Sequence, residues 1–437
     1  MPLVNQADEP LAAEIIAVGS ELLTPFRLDT NSLYLTGELN QLGIAVRRKS
    51  VVGDDQERLT AELWAALSRS PLVFVTGGLG PTADDLTRKA AAGATGAALR
   101  RDPQLEAGLR AWFSRRGAVL SENNLRQAEL LQGAEVLPNA NGTAPGQWWE
   151  RDGRILILLP GPPHELEAMF TAAVRPRLAG RWQGQAWRHV RLLLADIPES
   201  QADAIAAPLY TAVPEVETTI LAARPGEIEL HLRARGAAAG PEGALDRLSR
   251  QLAGAFGERL VSPESDSLEA AVIEALRRRG ETLATAESCT GGLLGARLTA
   301  VPGASTVYLG GAITYANDIK QSLLHVSSSS LKNHGAVSAA VAGEMARGAQ
   351  HRFLADWSLA ITGIAGPSGG SAEKPVGLVS MACAGLNEET VVVERRFQGG
   401  RDRVRAYAAA VALNLLRLRL LKCADQAANS AAARTES

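Results

Sequence analysis

The chain has 437 residues, 46% of them hydrophobic and 21% charged, the balance of a soluble globular protein long enough for two or three cores. Its 45 Lys and Arg nearly cancel its 47 Asp and Glu, a formal net charge of −2 that gives no general pull toward nucleic acid or an anionic membrane. No apolar run approaches the roughly 20 residues of a membrane helix, residues 1–9 lack a basic stretch followed by an apolar one, and a cytoplasmic location is expected.

Three cysteines, Cys289, Cys383 and Cys423, make neither a disulfide framework nor a CxxC zinc pattern. Lysine is scarce: only Lys49, Lys89, Lys320, Lys332, Lys374 and Lys422 stand among the 45 basic residues. Arginine cannot lose its proton, whereas a desolvated lysine can. A lysine in so arginine-rich a chain is therefore a candidate for proton chemistry.

Residues 12–19 read as a buried strand, followed by a helix at 30–42 with Asp29, Thr30 and Asn31 as candidate caps. Strand 43–46, helix 54–69 and strand 72–76 follow, and the pattern runs on to strand 154–159. This alternation predicts a mostly parallel sheet covered on both faces, over a first domain of 11–175. Residues 176–262 read as a small α+β domain, with strands at 190–194, 217–222 and 227–233 and helices at 199–209 and 241–255. Gly254-Ala255-Phe256-Gly257 and Gly240-Pro241-Glu242-Gly243 match the GxxG of KH modules, but neither has basic neighbours to clamp phosphate. A spacer or dimerisation role is expected. After a linker at 261–266, an α/β domain over 265–423 begins with helix 267–279. It continues with strands at 281–285, 307–314, 357–361, 376–383 and 390–396 and helices at 293–298, 319–325, 338–354 and 402–421. Residues 424–437 are small and polar and read as a disordered tail.

Two stretches carry chemistry. Thr76-Gly77-Gly78-Leu79-Gly80-Pro81-Thr82 follows a strand, so its glycine amides and the Thr82 hydroxyl suit an anion. Asp84 and Asp85 just beyond offer oxygens to a divalent metal. The second stretch is Ala286-Glu287-Ser288-Cys289-Thr290-Gly291-Gly292, between a strand and a helix. It offers three nucleophiles, Ser288, Cys289 and Thr290, and a helix N-terminus at Gly291 and Gly292 to cradle an oxyanion. No base lies nearby in sequence. His325 falls on an apolar helix, as a surface or capping residue, which leaves Tyr315 and Lys320 as the base. Lys320 sits just inside a helix capped by Asn317, at the strand-end edge where parallel sheets carry their sites. The loop from Thr362 to Gly370, with Lys374 beyond it, can close over a phosphorylated ligand.

Both regions resemble the competence/damage-inducible CinA family. Gly19-Ser20-Glu21-Leu22-Leu23, Asp29-Thr30-Asn31, Val52-Gly53-Asp54-Asp55, the 77–87 block, Gly142-Thr143-Ala144-Pro145-Gly146 and Pro160-Gly161-Pro162-Pro163 are similar to its molybdopterin-binding-type domain. The 286–292 motif, Gly310-Gly311-Ala312-Ile313-Thr314-Tyr315, Gly335-Ala336-Val337-Ser338, 362–367 and 373–377 are similar to its C-terminal domain. The resemblance implies a three-layer molybdopterin-binding-like first domain, a small KH-like α+β middle domain and a C-terminal α/β deamidase domain. It implies hydrolysis of nicotinamide mononucleotide to nicotinate mononucleotide and ammonia, with Ser288 as nucleophile supported by Tyr315 and Lys320. Thr290, Gly291, Gly292, Asn317, Thr362, Gly363, Gly366 and Lys374 would bind that substrate, with no metal. For the first domain it implies metal-dependent cleavage of ADP-ribose to AMP and ribose 5-phosphate. Glu21, Asp29, Asp84 and Asp85 would be the metal or water-activating residues, and Asn31, Gly77, Gly78, Gly80 and Thr82 would bind ADP-ribose. The family often has Asp where Ser20 stands. A homodimer is implied, with no membrane and no nucleic-acid partner. The alternatives are a first domain that binds without catalysis, and a non-catalytic protein of competence or DNA repair.

Overall fold

A computed structural model describes residues 11–182, 186–261, 265–386 and 388–435, with side chains up to 423. Residues 1–9, read above for a leader, and the centre of the expected linker, 262–264, lie outside the described residues. The chain divides into two compact units, Met1–Arg188 with Arg235–Ala237, and His189–Ala234 with Ala238–Ser437.

The first unit is a six-stranded sheet in the order Ala45–Val52, Ala12–Val18, Leu72–Thr76, Arg154–Leu159, Gly146–Arg151, Glu135–Leu137. The first four strands are parallel, as the alternation predicts, and the last two are antiparallel. Gly146–Arg151 and Arg154–Leu159 join through Asp152 and Gly153, both at positive φ, a turn that fits the twist of a hairpin. Side chains alternate between two cores: Ile15, Phe74 and Ile157 face one layer of helices, and Ile16, Val75 and Leu158 face the other. This is a three-layer α/β arrangement.

In the second unit a three-stranded sheet, Glu217–Arg224, Glu227–Ala234, Arg188–Ala195, is covered by helices Glu199–Tyr210 and Ala244–Phe256. Gly254-Ala255-Phe256-Gly257 lies at the end of that second helix, so this GxxG is not a loop. Along Arg188–Ala195 the residues alternate again. Leu192 and Leu194 enter the small domain's core, while Leu193 and Ala195 enter the core of the C-terminal domain, with Val261. The connecting segment is thus packed onto its C-terminal neighbour through its own sheet.

The C-terminal sheet runs Tyr308–Ile313, Leu283–Glu287, Trp357–Gly363, Leu378–Gly385, Val391–Arg396, the first three parallel and the last two antiparallel. Helix Ala339–Phe353 covers one face over Ala286, Ala360, Ala382 and Ala384; Leu359, Ile361 and Met381 face the other side, where helices Leu268–Arg279 and Arg401–Thr435 pack. A helix at Ser328–His334 was not expected from its serine run. It is capped by Ser327, whose hydroxyl accepts from the Ser330 N–H. The last helix runs on to Thr435, into the stretch read as a tail, where nothing is described of the side chains. Among the described residues no helix is long and apolar enough to cross a membrane.

The three parallel strands end at one edge, bringing 286–292, 314–320 and 362–367 together. Helix Asn317–Leu324, which carries Lys320, is seated against helix Ala339–Phe353 at Gly348, where an added Cβ would stand 2.1 Å from the Leu324 carbonyl oxygen. Gly348→Ala is expected to lower thermal stability by roughly 1–3 kcal/mol, the cost of overpacking; an unchanged melting temperature would contradict this seating.

Candidate active sites

Strand Leu283–Glu287 hands over to Ser288, whose N–H donates to the Ile361 carbonyl at 2.9 Å, while Thr314 N–H donates to the Glu287 carbonyl at 2.7 Å. These two bonds fix the nucleophile turn to both neighbouring strands. Lys320, 1% exposed, points its ammonium into this junction. Nζ is 3.2 Å from Ser288 Oγ, 2.8 Å from the Thr314 carbonyl and 3.2 Å from the Tyr315 carbonyl. It has no ion pair with a carboxylate among the described residues. Burial without a counter-charge lowers its pKa below the ordinary 10.5. Ser288 and Lys320 are thus joined as expected.

Tyr315 differs from expectation. Its ring is exposed and its hydroxyl accepts from Arg401 at 3.0 Å; only its backbone carbonyl reaches Lys320. Its hydroxyl is therefore not bonded to the Ser288–Lys320 pair. Cys289 is separated from Ser288 by its surroundings. It is 6% exposed in the apolar core, and burial pushes its thiol up to about 11, so little thiolate exists at neutral pH.

The expected cradle is already occupied. The Glu287 carboxylate, buried, accepts from the N–H groups of Gly292 (3.0 Å), Leu294 (3.0 Å) and Gly295 (2.8 Å). Gly291 donates to the Ser288 carbonyl at 3.1 Å. Gly291 and Gly292 therefore do not serve as oxyanion donors. Thr290 Oγ and Thr314 Oγ are buried without partners among the described residues. Asn317 is the first residue of its helix rather than its cap, which is Ala316.

The outer loop is braced from within. Thr362 donates to the Ala336 carbonyl at 2.8 Å, and the Lys374 ammonium is spent on the carbonyls of His334 and Val337. Neither group is left to grip a phosphate. Gly363 packs against Val379, and the Gly366 carbonyl accepts from Arg401 at 2.9 Å. Arg401 and Arg405 open the last helix. Arg405 donates to the Thr290 carbonyl at 2.7 Å, and its Nε is buried without a partner among the described residues.

In the first unit a cavity of about 1050 Å3 opens beside the glycine loop, and every predicted residue there except Thr82 lines it. Gly78, at φ +64, brings the loop so close to Thr87 that a Cβ would stand 2.3 Å from its hydroxyl. The predicted donors are partly consumed. Asp85 accepts from Gly80 N–H (2.7 Å), Thr82 N–H (2.7 Å) and Thr82 hydroxyl (2.6 Å), and Gly77 N–H donates to the Leu159 carbonyl at 3.0 Å. Buried Arg88 holds the Leu79 and Gly80 carbonyls from below. The amides of Gly78 and Leu79 keep no acceptor among the described residues.

The expected metal set does not converge. Asp29 caps helix Thr30–Gln41 through the Ser32 N–H at 3.0 Å, and Asp85 braces its own loop. Asn31 donates to the Gly161 carbonyl at 2.8 Å. Asp54 and Ser20 bond reciprocally, Ser20 N–H to Asp54 at 2.8 Å and Asp54 N–H to Ser20 Oγ at 3.0 Å. No three His, Cys, Asp or Glu side chains are grouped to hold a metal among the described residues. Glu21 and Asp84 keep exposed carboxylates, too few for a protein-built cage.

A family model described as the CinA C-terminal domain matches residues 265–420, and one described as a probable molybdopterin binding domain matches 14–180. A CinA-like protein of Solibacter usitatus is 47% identical over 416 residues, 93% of this chain and 98% of that one. Another, of Koribacter versatilis, is 45% identical over 94% of this chain and 100% of its own. The chain belongs to the CinA family. The crystal structure of competence/damage inducible protein CihA from Agrobacterium tumefaciens shares 43% identity, covering 35% of this chain and 93% of that one, at a TM-score of 0.34.

Sequence reasoning missed four residues of this CinA chain's sites: Glu287, Arg401, Arg405 and Asp54. Arg401 and Arg405 had a signal, two arginines one turn apart after Gly399-Gly400, but arginine is too common here for it to stand out. Glu287 stands in the 286–292 motif without an expected role, because a carboxylate that folds back on its own helix leaves no mark in spacing. Alkylation tells Ser288 and Cys289 apart. Iodoacetamide at pH 7 is expected to leave Cys289 unmodified in the native protein and to label it after denaturation, as mapped by peptide mass spectrometry. Rapid native labelling of Cys289 would reopen its claim.

Proposed function

We propose that the C-terminal site is an amidase that deamidates nicotinamide mononucleotide to nicotinate mononucleotide and ammonia, and that Ser288 and Lys320 carry the reaction. The observation behind this is the buried Lys320 ammonium at 3.2 Å from Ser288 Oγ with, among the described residues, only carbonyls as its other partners. Burial shifts a lysine so placed toward its neutral form relative to one in water, and the neutral amine can accept the serine proton. Ser288 Oγ attacks the carboxamide carbon as its proton passes to Lys320. Lys320 then returns the proton to the leaving nitrogen, and ammonia departs. Water adds to the acyl-serine, again giving its proton to Lys320, which hands it to Ser288 as the acid is released. Arg401 is the phosphate contact in this reading, since its guanidinium already spans Tyr315 and the Gly366 loop at the open side of the site.

Only neutral Lys320 accepts a proton, so kcat/KM falls as pH drops through its pKa. The acid limb is expected below 10.5, the ordinary lysine value. Ser288→Ala should abolish ammonia release, Cys289→Ala should retain it, and Lys320→Arg should lower kcat on the order of 100- to 10,000-fold. Activity surviving in Ser288→Ala but lost in Cys289→Ala would transfer the nucleophile to the thiol.

For the first unit we propose a nucleotide cleft that cleaves ADP-ribose to AMP and ribose 5-phosphate. The support is a cavity large enough for a dinucleotide beside the two unclaimed amides of Gly78 and Leu79. The residues present do not form a resident metal cage, so no step is assigned to one. In the full-length protein, Asp84→Ala is expected to abolish AMP formation while leaving ammonia release intact. Ammonia without AMP in the wild type, with and without added divalent cation, would make this domain a binding module.

A further inference from the structure

The hairpin Glu217–Arg224 and Glu227–Ala234 of the connecting domain turns at Pro225 and Gly226, and its tip reaches two helices of the amidase site. On one side Glu227, 3% exposed, pairs with Arg297. Arg297 stands on helix Leu293–Thr299, directly behind the Ser288 turn, and it also holds buried Glu269 of helix Leu268–Arg279. Arg224 of the same hairpin adds a pair to Glu269 at 3.4 Å. Burial alone would raise Glu269; the hydrogen bond and charge of Arg297 outweigh it and hold the carboxyl below its usual range. Arg297 cannot turn away without stranding buried Glu227 and leaving buried Glu269 to Arg224 alone.

On the other side Gly226, at φ +88, lies against the last helix. A Cβ there would stand 3.0 Å from Ala410 Cβ and 3.5 Å from the Tyr407 ring. That helix begins with Arg401 and Arg405, the first bonded to Tyr315 and the second to the Thr290 carbonyl. The tip is itself fixed, since the Asp196 N–H donates to the Gly226 carbonyl at 3.1 Å.

We propose that this hairpin tip is a positioning element of the amidase site: Glu227 holds the helix behind Ser288, and Gly226 seats the helix that presents Arg401 and Arg405. Helix Leu293–Thr299 has only seven residues. Glu287 pins its first amides and Glu227, through Arg297, pins its second half, so together they set where the Ser288 turn stands. Small displacements of a nucleophile cost large factors in rate. The proposal rests on the amidase reading above and gives the connecting domain a part in catalysis rather than a spacer's role.

The test uses full-length Glu227→Gln and Gly226→Ala, assayed with nicotinamide mononucleotide well below their melting temperatures. Labelling of Ser288 by a fluorophosphonate is followed in parallel. In that reaction the Ser288 Oγ–P bond forms, the P–F bond breaks, fluoride leaves and the serine proton passes to Lys320. Glu227→Gln is expected to lower both kcat and the labelling rate about tenfold with KM within about twofold. Gly226→Ala is expected to raise KM about tenfold with labelling unchanged. Lower melting temperatures with wild-type kcat, KM and labelling would reduce the hairpin to glue and overturn the proposal. If the wild type is labelled at Ser288 but releases no ammonia, the substrate reading fails, and the labelling rate of Glu227→Gln still decides the role of the hairpin.

Discussion

The amidase site depends on one buried charge problem. Lys320 is enclosed with a serine and two carbonyls and, among the described residues, no carboxylate, and such a place holds the ammonium less strongly than water does. The surrounding fold is what keeps it there. Three parallel strands end together, the Thr314 and Tyr315 carbonyls come from the turn after one of them, and the helix bearing Lys320 is locked on Gly348 of its neighbour. Had an aspartate replaced any of these partners, the lysine would be a salt-bridged cation and useless as a base.

The same principle governs where anions do not bind. Both regions that look from sequence like open cradles for a ligand's negative charge are partly filled by the protein's own acid. Glu287 takes three amides at the start of helix Leu293–Thr299. Asp85 takes the amides of Gly80 and Thr82. A helix start or glycine loop attracts any nearby carboxylate, and the nearest is often in the same chain. What remains for a ligand is smaller and more specific: Arg401 at the open side of one site and the Gly78 and Leu79 amides in the other.

Much of the fold was legible because it follows periodicity. The cap at Asp29, the helix from Leu268 and most parallel strands stand where hydrophobic runs and capping residues put them, whereas the strand expected at 43–46 runs Ala45–Val52, through charged residues that no hydrophobic run marks. Helix Ser328–His334 was hidden because four serines resemble a loop until one of them caps. The pairing of Ser288 with Lys320 was legible through the scarcity of lysine and the strand-end rule, together with the family resemblance. The hydroxyl of Tyr315, the ammonium of Lys374 and the carboxylates of Asp29 and Asp85 were given ligand or catalytic roles that geometry assigns to arginine, loop carbonyls and backbone amides. Residue type shows what a group can do; only its neighbours show whether it is already doing something else.

The low lysine count that first drew attention to Lys320 also makes the central claim directly measurable. With lysines labelled at 13Cε, six resonances are expected, and a Lys320→Arg control identifies one of them. The titration of that resonance should have its midpoint below 10.5, where burial without a counter-charge places it, and should sharpen no other lysine's curve. A midpoint at or above 10.5 would mean that Lys320 stays a cation beside Ser288, and the account of this site as a serine–lysine amidase would fail.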